Sequence, residues 1–383
     1  MTRRDRLLTA LDHQEPDRVP LDLAATQVTG IHAIAYRGLR KVLGLPGDGT
    51  QLCDSIQQLA LPDDGLLERL GVDVRGLFPL SSHNWNVHEE DRGDHWVYRD
   101  EWGITHRRSK SRGLYYTVVQ VPLPGPGLTV QDVERHHWPD MADPQRIAGL
   151  REQAVRFRLQ GYAVVLKSPF AGIFEMAQRL VGMEECLVAM AKGEAPIGTL
   201  FDKLLELKMA FWEMALPRLA GVVDVVAEFD DYGTQKSQLI SPRMFRQQIK
   251  PRLKILLENL RRLAPSAKLF FHSCGNVRAL LPDLIEIGVE ILNPVHVRAA
   301  DMEPIALKRD FGDALAFWGG GVDTQGILPT GTPRQVKDDV RRNIEAMAPG
   351  GGYVFSPVHN IQADVPPENI VAMLEALQEY GVY

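Results

Sequence analysis

The stretch KLFFHSCGNVRALLPDLIEIGVEILNP, residues 268 to 294, decides the fold. It begins with an apolar run typical of a buried strand, which stops abruptly at His272, Ser273, Cys274 and Gly275. In the next segment apolar residues recur every three to four positions, as on one face of a helix, and a second apolar run then ends the stretch. A strand, a helix and another strand in this order predict a βα repeat in a parallel sheet.

The same alternation of short apolar runs and amphipathic segments continues along the chain. Eight runs can be distinguished, at residues 18–23, 72–80, 162–168, 222–230, 268–273, 289–294, 315–320 and 352–357. Eight strands with intervening helices predict an α/β protein, a single (β/α)8 TIM barrel domain over residues 1–383. The gap between the second and third runs is too long for a simple crossover. Its composition predicts an inserted antiparallel β excursion of two or three strands at about 81–125.

Composition and charge exclude several classes of partner. The chain has 383 residues, of which 45% are hydrophobic, and its 43 basic and 49 acidic residues give a formal net charge of -6. No block of like charges is present, so neither nucleic acid nor an anionic membrane is an expected ligand. No apolar stretch approaches the roughly 18 residues of a spanning helix. The three cysteines are odd in number and far apart, which favours free thiols in a reducing, cytoplasmic compartment.

His272 and Cys274 form the motif that points to chemistry. Side chains two residues apart on a strand point the same way, so both should project from the carboxyl end of the fifth run, where barrel active sites are built. A thiolate beside an imidazole suits zinc, which takes three protein ligands when it is catalytic. The structural alternative is a buried thiol beside a hydrogen-bonded histidine, and a third ligand is needed to decide. The candidates at the ends of other runs are Asp230, Asp231, His296, Asp323 and His359.

The chain resembles members of the uroporphyrinogen decarboxylase superfamily, in the branch of zinc-dependent, corrinoid-linked and thiol-linked methyltransferases. The resemblance covers essentially the whole length, and it is carried by RVPLDLAATQVTGIHAIAYRGLRKVLGL (18–45), EFDDYGTQKSQLISPRMFRQQIKPRLKIL (228–256), FWGGGVDTQGILPTGTPRQVKDDVRRNI (317–344) and GGGYVFSPVHNIQADVPPENI (350–370). Methyltransferases of that branch hold zinc with a His-x-Cys pair after the fifth strand and a cysteine after the eighth. The resemblance therefore implies that His272, Cys274 and His359 are the zinc ligands, with SPVH standing where SPGC would. One thiolate in place of two makes the site less negative by one charge.

The resemblance also implies an activity. The protein is expected to be a zinc-dependent methyltransferase that moves a methyl group between a small methylated or methoxylated compound and a corrinoid or thiol acceptor. A corrinoid (cobalamin) would come from a partner protein or from solution, because the chain has no corrinoid-binding DxHxxG loop. Asp230 and Asn293, at the ends of the fourth and sixth runs, would be catalytic residues that orient the substrate heteroatom. Their structural alternatives are a helix cap for Asp230 and a turn before proline for Asn293.

Two other functions stay open at this stage. One is a metal-free lyase of the uroporphyrinogen decarboxylase type, and the other is a barrel that binds a corrinoid or tetrapyrrole without chemistry. The decarboxylases bind a tetrapyrrole with eight carboxylates and need arginines in an N-terminal loop of the type RQAGR. This chain has no such loop, which disfavours tetrapyrrole decarboxylation.

Overall fold

The computed structural model describes residues 1–45 and 50–383. The strands in this part of the chain are β1 (Gln51–Asp54), β2 (Leu59–Leu61), β3 (Val74–Leu77), β4 (Glu90–Arg92), β5 (His95–Arg99), β6 (Thr105–Ser109), β7 (Thr117–Gln120), β8 (Ala163–Lys167), β9 (Val225–Phe229), β10 (Lys268–His272), β11 (Ile291–Asn293), β12 (Ala316–Trp318) and β13 (Tyr353–Val354).

The helices lie mainly between these strands. They are α1 (Arg3–Leu11), α2 (Ala33–Val42), α3 (Asp64–Arg69), α4 (Val130–Arg135), α5 (Leu150–Leu159), α6 (Ile173–Val181), α7 (Met183–Lys192), α8 (Ala195–Arg218), α9 (Pro242–Met244), α10 (Lys250–Leu263), α11 (Leu281–Glu286), α12 (Pro304–Phe311), α13 (Ile327–Thr330), α14 (Pro333–Met347) and α15 (Pro367–Tyr380). A π-helical turn, Phe245–Ile249, joins α9 to α10, and 3₁₀ turns occupy Pro144–Ile147 and Arg278–Leu280. Among the described helices, none is both long enough and apolar enough to cross a membrane.

Seven strands form one curled parallel sheet, as the βα repeats predict for an α/β protein. Their order is the chain order, β3, β8, β9, β10, β11, β12 and β13, and each neighbouring pair is parallel. Because parallel neighbours in chain order all run the same way, the carboxyl ends of these strands lie along one edge of the sheet. Side chains that follow the strands are thereby brought together.

The first predicted strand is the main correction to the expected eight. Residues 18–23 contribute two isolated bridges, an antiparallel one between Arg18 and Val382 and a parallel one between Leu21 and Phe355, and no strand. The segment nevertheless forms hydrogen bonds with residues adjoining both edge strands of the seven-stranded sheet. Phe355 N, after β13, donates to Pro20 O at 2.8 Å, and Asp73 N, before β3, donates to Leu21 O at 2.9 Å. Pro20 has no N–H group, so the ladder cannot be extended through it.

The apolar core has two layers separated by the sheet. Residues of one parity face the interior, among them Ala163 and Val165 of β8, Val225 and Ala227 of β9, and Phe270 of β10. Residues of the other parity pack against the surrounding helices in a second cluster. Side chains alternate along a strand, so a residue two positions beyond the last interior side chain also faces inward, at the mouth of the sheet.

Between β3 and β8 the chain forms a separate four-stranded antiparallel sheet, in the order β4, β5, β6 and β7. The turn after β5 is held by Asp100, whose carboxylate accepts hydrogen bonds from Trp102 N at 3.0 Å, Ile104 N at 2.9 Å and the His106 ring at 2.8 Å. The next residue, Glu101, accepts from the buried Arg146 at 2.7 Å. These contacts stabilise the turn and join it to the 3₁₀ turn Pro144–Ile147.

Candidate active site

The candidate site lies at the carboxyl ends of the parallel strands. β10 ends at His272, which has the same parity as the interior residue Phe270 and therefore points into the mouth of the sheet. Gly275 makes the turn that follows, with φ at +80°, and its N–H donates to the ring of His296 at 3.1 Å. A side chain at Gly275 would collide with the backbone of Gly233, 2.4 Å from an added Cβ.

The structure brings the three expected ligands together. One ligand atom from each of His272, Cys274 and His359 lies within 4.8 Å of the other two. The sulfur of Cys274 is 3.4 Å from Nε2 of His272, and the rings of His272 and His359 have centroids 5.6 Å apart.

Asn293 fixes the orientation of the His272 ring. Its side-chain NH2 donates to the carbonyl of Trp318 at 2.7 Å, which leaves its side-chain oxygen 2.5 Å from Nδ1 of His272. That oxygen can only accept, so Nδ1 carries the proton and Nε2 presents a lone pair to the site. Asn293 is fully buried and is not among the residues that line the cavity, so its contact is with the His272 ring.

The surroundings disfavour the charged forms of His359 and Cys274. Burial, followed by the electrostatic effect of the nearby His272, lowers the pKa of His359 to about 4. Burial also raises the pKa of Cys274 well above its usual value, and the carboxylate of Asp231 adds to this effect. Asp231 accepts the backbone N–H of Cys274 at 2.8 Å, and the same oxygen lies 3.5 Å from Nε2 of His272.

Asp230 and Asp231 have different roles, and only Asp231 lines the cavity. Asp230 is buried, and its two oxygens accept the backbone N–H groups of Phe174 at 2.9 Å and Glu175 at 2.7 Å, at the start of α6. Its Oδ2 also accepts the Tyr232 hydroxyl at 2.9 Å, and burial raises the pKa of Asp230 to about 7. The structure therefore supports the capping alternative for Asp230, at the start of α6, and a catalytic role for this residue stays a prediction.

A cavity of about 540 Å³ opens beside the three ligands. His272, His359 and Asp231 form part of its wall, and the turn of the antiparallel sheet covers it. Its aromatic lining consists of Trp85, Tyr98, Trp102, Phe170 and Phe229. This volume lies within the usual range for small-molecule sites. Tyr98 and Trp102 come from the inserted antiparallel segment, and both are buried while lining this cavity.

The cavity carries more acidic than basic side chains. Within the described residues the acidic ones are Asp54, Asp100, Glu101, Glu175 and Asp231, and the basic ones are Lys167 and Arg179. Arg179 bonds to Glu175 at 2.5 Å. Sequence reasoning missed Lys167 and Arg179. Parity could have indicated Lys167, because it follows the interior residues Ala163 and Val165 on β8.

The donor set fits zinc. A tetrahedral zinc with bonds of about 2.0–2.1 Å to nitrogen and about 2.3 Å to sulfur separates these two ligands by roughly 3.5 Å. The Cys274 sulfur and the His272 Nε2 are 3.4 Å apart. The hydrogen bond from Nδ1 to an acceptor is the arrangement that ligating histidines usually have.

Comparisons with known proteins agree on the family. The family model described as Uroporphyrinogen decarboxylase (URO-D) matches residues 119–380, more than half of the chain. The uroporphyrinogen decarboxylase of Idiomarina loihiensis is 23% identical over 99% of this chain and 96% of its own. That of Thermus thermophilus is 26% identical over 70% of this chain and 79% of its own.

Among solved structures, a methyltransferase from Methanosarcina mazei has a similar fold. The two superpose with a TM-score of 0.62 at 22% identity, and the match covers 99% of each chain. At this identity the likeness establishes the fold. The relatives of known sequence are thus named decarboxylases, and the structural neighbour is named a methyltransferase.

Proposed function

The chain belongs to the uroporphyrinogen decarboxylase family, and from this premise we propose that it is a zinc-dependent methyltransferase. It would move a methyl group between a small methylated or methoxylated compound and a corrinoid or thiol acceptor. The observation that supports this function is the group formed by His272, Cys274 and His359, whose ligand atoms lie within 4.8 Å of one another. The two histidines of this group line the cavity. A decarboxylase that uses no metal has no need of such a group.

In this function Nε2 of His272, Sγ of Cys274 and a ring nitrogen of His359 would hold the metal. Bound zinc supplies Lewis acidity that polarises the heteroatom carrying the methyl group. Asn293 holds the His272 ring in the required tautomer through the 2.5 Å contact with Nδ1. In demethylation of an ether the C–O bond breaks, its electron pair stays on oxygen, and the methyl carbon bonds to the nucleophilic cobalt or sulfur of the acceptor.

The ligand set favours a methoxylated substrate over activation of a thiol. One thiolate and two neutral imidazoles leave a divalent ion with net positive charge, whereas two thiolates would cancel it. A more positive centre polarises a neutral ether oxygen more strongly. The low pKa of His359, about 4, keeps this ring neutral near pH 7. The corrinoid acceptor would be supplied by a partner protein or from solution.

A metal-free lyase of the decarboxylase type is the second candidate, because the relatives that match nearly the whole chain carry that name. The charge of the cavity opposes it for a tetrapyrrole with eight carboxylates. Five acidic side chains line the described cavity against two basic ones, and Glu175 neutralises Arg179. Such a wall repels a polyanion.

Metal analysis of variants tests the proposal. We expect about one zinc per chain in the wild type, a value that follows from a site with three protein ligands. Cys274→Ala and His359→Ala should lose zinc together with demethylation of a methoxylated substrate by reduced cobalamin. Cys186→Ala is the matched control, because this buried thiol lies in α7 outside the ligand group, and it should keep zinc.

His359→Cys separates metal binding from Lewis acidity. This variant should retain zinc and yet demethylate more slowly, because a second thiolate neutralises the ion. Unchanged zinc and unchanged activity in His359→Ala would show that His359 is a loop histidine and would refute the proposed site.

A further inference from the structure

Lys167 occupies a special position in the cavity. It is the last residue of β8, and it has the same parity as Ala163 and Val165, whose side chains lie in the interior layer. Its side chain is therefore directed into the mouth of the sheet, where it lines the cavity together with His272 and His359. A cation and the ligand group thus share one enclosed space.

The Lys167 ammonium has no hydrogen bond or ion pair with any of the residues that the structure describes. Its contact with the ring of Phe78, 5.8 Å from the ring centre, is at the limit of a cation–π interaction. The buried Lys208 shows what a satisfied lysine in this fold looks like. Its ammonium donates to Glu228 at 2.6 Å and to Ser168 at 2.8 Å. A half-buried ammonium without such partners is costly unless a ligand supplies them.

The acids of the cavity do not supply that partner. Asp54 favours the charged form of Lys167, but its carboxylate is engaged with the N–H of Gln57 at 2.8 Å. Burial still lowers the pKa of Lys167, so the ammonium is short of compensating charge. Glu175 is paired with Arg179. A carboxylate supplied by a ligand would give Lys167 the direct ion-pair partner that the described residues do not provide.

The remaining wall suits a flat apolar body. Trp102 and Phe170 pack with ring centroids 4.7 Å apart, and Tyr98 and Trp85 line the same space. Aromatic walls of this kind bind rings through offset or edge contacts. Lys167 would hold one end of such a ligand, and the group of His272, Cys274 and His359 would receive the other.

We propose that Lys167 binds a carboxylate of the substrate, so that the substrate class of this site is a small methoxylated aromatic acid. The methoxy group would lie at the ligand group of His272, and the ring would lie between the aromatic side chains of the cavity. This inference rests on the proposed methyltransferase function, which it deepens by naming the substrate. A charge-assisted hydrogen bond to a carboxylate is stronger than one to a neutral amide, which gives the site a measurable preference.

Calorimetric titration of the zinc-loaded protein tests this preference with 4-methoxybenzoate and its neutral amide, 4-methoxybenzamide. We expect the wild type to bind the benzoate about tenfold more tightly than the amide. Lys167→Met keeps the chain length and removes the charge, so it should lose this preference while its affinity for the amide stays the same. Lys167→Arg should keep the preference. Lys203→Met is the surface control, because Lys203 pairs with Glu206 on α8, and it should behave as the wild type.

Zinc content and melting temperature of every variant accompany the titrations, so that loss of folding is not mistaken for loss of charge. If zinc is present and the wild type shows no preference, or if Lys167→Met retains it, the carboxylate site is refuted and the methyltransferase proposal stands. If the protein holds no zinc but the preference depends on Lys167, the methyltransferase proposal fails and the carboxylate site remains. If Lys167→Met fails to fold, the decision rests on the preference of the wild type and of Lys167→Arg.

Discussion

At the scale of single residues, Asn293 controls what His272 can do. Its amide is fixed from one side by the carbonyl of Trp318, at 2.7 Å, and this contact leaves its oxygen to the histidine. Without that oxygen the His272 ring can rotate or change tautomer, and Nε2 is no longer held toward the cavity. The buried amide would therefore act on the proposed metal site through His272.

We expect Asn293→Ala to weaken zinc binding by about 10–100-fold, the usual effect of removing a hydrogen-bond partner of a ligating histidine. The measurement is competition for zinc with a chelator of known affinity. Asn369→Ala is the control, because Asn369 is also buried and bonds to Leu328 O and Gly331 O at 2.8 Å, away from the cavity. Equal zinc affinity in Asn293→Ala and the wild type would show that His272 needs no such support.

The histidine and cysteine pair could be predicted from the sequence, whereas its neighbours could not. An HxC motif at the end of an apolar run has a fixed parity, so both side chains face the same way. Asp230 and Asp231 directly follow β9, whose residues are all buried, so no alternation of apolar and polar residues shows which of the two faces inward. The role of Asn293 depends on the carbonyl of Trp318, which is distant in the chain.

At the scale of elements, α6 forms one wall of the cavity and depends on a cap from outside the helix. Glu175, Met176 and Arg179 line the cavity from this helix. The residue at its N-cap, Gly172, has no side chain to offer, so Asp230 supplies the acceptor for the first N–H groups. An added Cβ at Gly172 would lie 1.9 Å from the Asp230 carboxyl carbon, which explains the glycine.

We expect Asp230→Ala to lower the free energy of unfolding by about 1–2 kcal/mol, because it removes the cap of α6. Ligand affinity should fall as this wall of the cavity loosens, while zinc content should not change. Urea denaturation, calorimetric titration and metal analysis measure the three effects. Thr332→Ala removes the capping box of α14, which lies elsewhere, and should reduce stability alone. Loss of zinc in Asp230→Ala would contradict a purely capping role.

The number of strands was harder to predict from the sequence than the positions of the candidate ligands. The run at 18–23 has the composition of a strand, yet Pro20 stops the ladder and only isolated bridges at Arg18 and Leu21 remain. The strands of the antiparallel sheet have exposed or mixed faces, as in β7, where all four residues are exposed. Their number could not be read from hydrophobic alternation, and their role as cover of the cavity depends on tertiary contacts such as Glu101 with Arg146.

At the scale of the whole molecule, the family relationship and the charge of the cavity point to different substrates. The relatives named uroporphyrinogen decarboxylase span nearly the entire chain, so the scaffold is shared. Function on a shared scaffold is decided by the site. Among the described residues that line the cavity, acidic side chains outnumber basic ones. Lys167 is the basic side chain of this lining that has no hydrogen bond or ion pair with a described residue, and it can pair with one carboxylate.

We therefore expect no decarboxylation of uroporphyrinogen, whose eight carboxylates would face this wall. Incubation without oxygen, followed by oxidation and chromatography of the porphyrins, should give no product above the blank without enzyme. The Thermus thermophilus decarboxylase is the positive control. A single ammonium can neutralise one of eight negative charges, and each further carboxylate that enters a water-poor cavity unpaired costs free energy. Clear conversion to products with fewer carboxylates would mean that cations outside this cavity bind the tetrapyrrole, and the methyltransferase proposal would then give way to the lyase.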